Sequence, residues 1–173
     1  HASYRRQRQM CIRDSVVGIY NSSKVNGLED KDINITSDLT VDEANSLDLL
    51  TSGIVSGSII TTERVAELVT LTGLNAYSII IPSLDSTGAT AAQLNAINDA
   101  TSVAVDLSNV TAIAASSLND LNILQTAING NEFSNSSGLT TIAVSDTSVD
   151  ATLLDTVIEL SLIHISEPTR QLC

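Results

Sequence analysis

The sequence predicts an α/β chain in which short parallel strands and short helices alternate as a solenoid-like repeat, with a single compact α/β domain as the alternative. Three observations lead there. A phrase of Gly-Leu, an Ile/Val-rich stretch, Ser and Asp, and then a helix start occurs three times, beginning at Gly27, Gly73 and Gly138. Hydroxyl residues followed three positions later by an acid or amide stand before apolar stripes at helical spacing. β-Branched stretches separate the stripes, and strands alternating with helices favour parallel pairing through right-handed crossovers.

Taken in order, the first copy runs Gly27-Leu28, Ile33-Asn34-Ile35 and Ser37-Asp38. Thr40-Val41-Asp42-Glu43 then fits a capping box, in which hydroxyl and carboxylate each satisfy an orphan backbone donor. Ala44, Leu47 and Leu50 continue as one helical stripe. Residues 54–60 predict a strand, and Val65, Leu68, Val69 and Thr72 a second helix. The second copy has Gly73-Leu74, Ile79-Ile80-Ile81, Ser83 and Asp85, with Pro82 and Gly88 marking a longer turn. Thr90-Ala91-Ala92-Gln93 repeats the capping box ahead of Ala91, Leu94 and Ile97. Residues 103–107 predict a strand, and Leu118, Leu121 and Leu124 a fourth helix. Residues 129–137, rich in Asn, Gly and Ser, read as a surface loop inserted into the repeat. The third copy has Gly138-Leu139, a strand within 139–144, Ser145-Asp146, and Leu154, Val157 and Ile158 on a fifth helix. The units are therefore expected at 27–72, 73–137 and 138–159, with 16–26 as part of a preceding unit or a linker. A dinucleotide-type doubly wound domain would carry a Gly-rich turn after its first strand, and none is present.

The two ends have a different origin in this reading. Residues 160–170, Leu-Ser-Leu-Ile-His-Ile-Ser-Glu-Pro-Thr-Arg, resemble the translation of a transposase-type sequencing adapter, and residues 5–15 resemble the translation of its opposite partner. The reverse complement of CTGTCTCTTATACACATCT is AGATGTGTATAAGAGACAG, so one DNA inverted repeat can encode both peptides. Residues 1–15 and 160–173 are accordingly expected to be adapter-derived and are left out of the fold reasoning.

Setting the ends aside removes both cysteines (Cys11 and Cys173), both histidines (His1 and His164), the one methionine (Met10) and five of the eight basic residues. Residues 16–159 keep Lys24, Lys31 and Arg64 against eighteen acids, a net charge of −15. Such a chain repels nucleic acid and anionic membranes, which bind through clustered Lys and Arg. Tyr20, Tyr77 and Phe133 are its only aromatic residues, too few for base or sugar stacking. No apolar run approaches the roughly 18 residues of a membrane span. Neighbouring repeats of the same chain are the expected partners, because one thin strand-helix layer cannot bury its apolar face alone.

The phrases at residues 145–155 (Ser-Asp-Thr-Ser-Val-Asp-Ala-Thr-Leu-Leu-Asp), 92–97 (Ala-Gln-Leu-Asn-Ala-Ile) and 101–106 (Thr-Ser-Val-Ala-Val-Asp) resemble repeats of very large secreted or cell-surface proteins of marine bacteria. That resemblance covers most of the chain from about Gly27 onward. It implies a structural, adhesive or surface-layer role rather than catalysis, and it carries no functional residue over.

Without His or Cys between residues 16 and 159, neither Ser-His-Asp nor Cys-His catalysis nor a Cys/His zinc site can be assembled there. No catalytic residue and no cofactor site is expected. The one metal candidate is calcium at Asp30, Asp32 and Asn34, whose spacing resembles the start of a calcium loop. Ile35 then stands where a Gly is needed and Val41 where a bidentate Glu is needed, so a solvated acidic turn is the competing reading. The repeated Ser37-Asp38, Ser145-Asp146 and the looser Ser83 and Asp85 suit helix starts, where a side-chain oxygen meets the positive end of the dipole; a ligand ladder is the alternative. Sequons at Asn21, Asn34, Asn109 and Asn135 are those expected by composition in a chain this rich in Asn, Ser and Thr. Two further readings remain at this point: a calcium-stabilised binding module, and an accessory region of an enzyme whose catalytic domain lies elsewhere.

Overall fold

Helices this short are marginal in water, so each depends on its cap and on burial of one face. The computed structural model describes Gly27, residues 29–148, Thr152, Leu154 and Val157. Helix α1 (Val41–Asp48) starts at an extended Thr40, whose Oγ1 accepts from the Glu43 amide at 3.3 Å while the Thr40 amide donates to the Glu43 carboxylate at 2.8 Å. Helix α2 (Val65–Leu68) is a single turn. Helix α3 (Ala91–Asp99) repeats the capping box with Thr90 and Gln93. Helix α4 (Leu118–Asn129) begins at Ser117, whose hydroxyl accepts from the Asp120 amide. Both capping boxes read from the sequence are thus formed. Most of the expected stripe residues form the buried faces: Ala44 and Leu47; Val65 and Leu68; Ala91, Leu94 and Ile97; Leu118, Leu121 and Leu124. Leu50, Val69 and Thr72 fall beyond the ends of α1 and α2, the first two half-buried and Thr72 exposed. Thr152, Leu154 and Val157, where the fifth helix is expected, are helical.

The strands are equally short, and all of their pairings are parallel. β1 (Ile33–Asn34), β2 (Val55–Ser58) and β3 (Ala76–Ser78) form a three-stranded sheet in that order, with Ile33 opposite Val55 and Ser56 opposite Ala76. Bridges from Asn75 to Thr101 and from Ile80 to Asp106 link β3 to the stretch containing β4 (Val105–Asp106). β4 pairs in turn with β6 (Phe133–Ser134). A second ladder joins β5 (Ala112–Ser116) to β7 (Thr141–Val144), with a register irregularity between Ile113 and Ser116. The Thr111 and Ala112 amides on the other side of β5 donate to Ser86, and the Ala114 amide to Ala89. Every paired position lies 20 to 29 residues from its partner. Alternate strand residues point inward, Ile33 and Ile35, Val55, Tyr77, Ile79 and Ile81, Val105 and Leu107, into one continuous apolar cluster with the helix stripes. The architecture is therefore a mixed α/β arrangement of short parallel strands and short helices, with no closed barrel among the described residues. No helix among them is long and apolar enough to cross a membrane.

Two details differ from the sequence reading. Residues 129–137, expected as a surface loop, contain β6: Phe133 is buried, the Val105 amide donates to Glu132 and the Leu107 amide to Ser134. Burying one large ring and completing the β4 ladder outweighs the turn-forming composition around it. The third Gly-Leu also stands apart. Gly27 and Gly73 take left-handed φ of +79° and +72°, two residues before Glu29 and Asn75, whose carbonyls accept from Ser52 and Ser102. Gly138 instead closes a 3-10 turn (Ser136–Gly138) that leads into β7 of the other ladder, and the left-handed residue there is Asn135.

Candidate functional site

Polar side chains in this fold serve mainly to join one strand-helix layer to the next. The clearest device lies at the helix starts, where the first helical amide has no partner within its own helix. The Val41 amide donates to Glu63 Oε1, that of Val65 to Asp85 Oδ2, that of Ala91 to Ser116 Oγ and that of Leu118 to Asp146 Oδ2. The acceptor lies 20 to 28 residues downstream in every case. Asp85 and Asp146, read from the sequence as caps of the helices that follow them, thus cap the helix of the preceding layer. Ser37 Oγ, in the first copy of the phrase, is buried without a hydrogen-bond partner, and Asp38 is exposed.

Asp85 is the most heavily used of these acceptors. Arg64 approaches it with Nε at 3.0 and 3.1 Å and with a terminal guanidinium nitrogen at 2.6 Å, while the Val65 amide binds it at 2.9 Å. The Arg64 guanidinium, and secondarily the Val65 amide, hold the Asp85 carboxyl below its usual range against the opposing effect of burial.

A second device marks the entry to the strands. Buried Thr51, Asn75 and Thr101 occupy successive layers. Thr51 Oγ1 donates to the Lys31 carbonyl and accepts from the Gly53 amide. Thr101 Oγ1 donates to the Tyr77 carbonyl and accepts from the Tyr77 and Val103 amides. Asn75 accepts from the Val55 amide and donates to Asp48. The Thr101 hydroxyl is fully committed to backbone, donating once and accepting twice. Burial, with the Asp48 charge, pushes the Tyr77 phenol up to about 12, and its hydroxyl donates to the Ala44 carbonyl. At neutral pH it is a neutral hydrogen-bond donor.

The residues read as a calcium candidate are spread over different tasks. Asp30 forms an exposed ion pair with Lys31 at 2.8 Å, each holding the other in its charged form. Asp32 Oδ1 accepts from the Ile54 amide at 2.8 Å, which ties β1 to β2, and Asn34 is exposed on β1. No group of three or more His, Cys, Asp or Glu suited to a metal ion occurs among the described residues. Two sequon amides are also engaged: Asn109 donates to the Ile81 carbonyl and Asn135 to Asp106. Asn34 and its Thr36 are exposed, and Asn21 lies outside the described residues.

Among the described residues an open cleft of about 450 Å³ lies between the carboxyl ends of α3 and α4. Leu74 and Val103 supply its apolar surface, and Asn98, Asp99, Asn131 and Glu132 its polar wall. Asn98 donates to Glu132 Oε2 at 2.6 Å. The sequence reading missed this cleft, because its walls come from three separated loops and no local motif joins them.

Compared with known proteins, the chain matches no family model, no curated protein and no solved structure.

Proposed function

We propose that the chain is a non-enzymatic structural or adhesive segment of a larger secreted or cell-surface bacterial protein, built as an α/β solenoid in which each strand-helix layer is one coil. The observation that carries this reading is the relay of helix caps, in which each of the four helix starts among the described residues takes its acceptor from the layer 20 to 28 residues downstream. A layer that leaves its first helical amide to be satisfied by the next depends on a neighbour, as solenoid repeats do. The parallel offsets of 20 to 29 residues support the same reading, since they match the length of one compact solenoid coil.

The chemistry of the described part supports a non-catalytic role. It contains no His or Cys, the Thr51, Thr101 and Ser116 hydroxyls are committed to backbone groups, and Glu63, Asp85 and Asp146 cap helices. The strongly negative charge suits a soluble extracellular surface and opposes nucleic acid as a partner. The test is to sequence the source locus outward from residues 16–159. Further units of about 20 to 29 residues with an acid or hydroxyl one coil beyond each helix start are expected. A short gene without repetition would refute the proposal.

A further inference from the structure

We propose that the cleft between the carboxyl ends of α3 and α4 docks an extended peptide segment of a partner protein, one that presents a lysine or arginine next to an aliphatic residue. Helix α3 ends at Asp99 and α4 at Asn129, and neither has a basic residue in its last turn. The partial negative charge of both carboxyl ends is therefore uncompensated. Asp99 and Glu132 add full negative charges on the same wall. The Asp99 carboxylate has no ion pair or hydrogen bond among the described residues, and the Glu132 carboxylate holds only Asn98 there. Anionic and phosphorylated ligands are repelled from such a wall, and a cation is drawn to it.

The apolar half of the cleft narrows the ligand further. Leu74 is 67% and Val103 39% exposed, yet both line a concavity rather than a convex surface. Packing there removes apolar area from water without moving any buried residue. No aromatic side chain lines the cleft, so it offers no platform for a base or a sugar ring. An aliphatic side chain suits Leu74 and Val103, and the Asn131 carboxamide in the same cleft can pair with a peptide backbone. A cationic side chain and an aliphatic one carried on the same backbone describe a basic peptide better than a metal ion or a polyamine. The reading needs the cleft alone and holds whether or not the layers form a solenoid.

The test is titration of the uniformly nitrogen-15-labelled full chain with the blocked peptide acetyl-Ala-Lys-Leu-amide at low salt, followed by amide chemical shifts. Saturable shifts clustered at Leu74, Asp99, Val103 and Glu132 are expected. They should be absent with acetyl-Ala-Glu-Leu-amide. The dissociation constant should rise about tenfold in the Asp99→Asn/Glu132→Gln variant, and severalfold in Leu74→Ser. None of these three residues is buried, so the fold should be unaffected. Equal shifts with the Glu peptide, no clustered shifts up to about 10 mM peptide, or spermidine or calcium chloride acting as strongly as the Lys peptide would each overturn the proposal.

Discussion

Replacing Asp85 with alanine tests the idea that layers are held together through their helix starts. In the native chain Asp85, 9% exposed, accepts from the buried Val65 amide and from Arg64. Alanine leaves the Val65 N–H in the interior without an acceptor, a cost of about 1–3 kcal/mol. Arg64 is nearly half exposed and can turn into water, so losing its partner adds little. For a chain of this size, the sum corresponds to a fall in Tm of about 3 to 10 °C. Asp85→Asn keeps an acceptor for Val65 and should lose less than half as much. Thermal unfolding followed by circular dichroism at several pH values is the assay. Because the folded carboxyl titrates below its ordinary value of 3.8, the native form gains stability relative to Asp85→Ala above that value. The gap should be full above about pH 5 and should shrink as pH falls through the folded pKa. An Asp85→Ala stability within about 0.5 kcal/mol of native at pH 7, or a gap that widens in acid, would refute the reasoning.

Three further outcomes follow from the same geometry. Ser116→Ala removes the acceptor of the Ala91 amide and should cost about 1–3 kcal/mol in urea denaturation, more than an isolated buried hydroxyl making no such bond. A Cβ at Gly53 would stand 2.5 Å from the Lys31 carbonyl carbon and 2.8 Å from the Asp32 nitrogen, both backbone atoms of the neighbouring layer. Gly53→Ala should therefore destabilise by about 1–3 kcal/mol, and Gly57→Ala, which meets only the Leu39 side chain and the Ile35 edge at 3.0 Å or more, by less. Calcium at about 1 mM should leave the Tm unchanged, because Asp30 is paired with Lys31 and Asp32 with the Ile54 amide; a chelator-reversible rise of several degrees would restore the calcium reading of Asp30, Asp32 and Asn34.

The helices were the most readable part of this chain. Thr40 with Glu43 and Thr90 with Gln93 announce helix starts through residues three positions apart, and the structure forms both boxes. The strands were legible where β-branched residues cluster, as at Val55 and around Ile79, and illegible where they do not. β5 is Ala-Ile-Ala-Ala-Ser, a sequence with little intrinsic preference for a strand, and it becomes one between the Ser86–Ala89 backbone and β7. β6 was hidden in a segment of Asn, Gly and Ser whose single ring, Phe133, is buried. Among the site residues, Asp85 and Asp146 were singled out as helix-start acceptors, and so they are, but for the helix of the preceding layer. Nothing in the neighbouring residues could have shown which helix they serve.

Sequence alone therefore determined that helices begin after Thr40 and Thr90, most of the residues each helix buries, and a strongly negative charge, since all of these arise from residues within one turn of each other or from composition. Only tertiary structure decided which strands pair, that the third Gly-Leu lies on the other ladder, and that helix caps cross between layers. Those features join residues 20 to 29 positions apart. At that distance the gain from buried apolar area and satisfied backbone donors outweighs local preference, and only the packed chain reveals the partner.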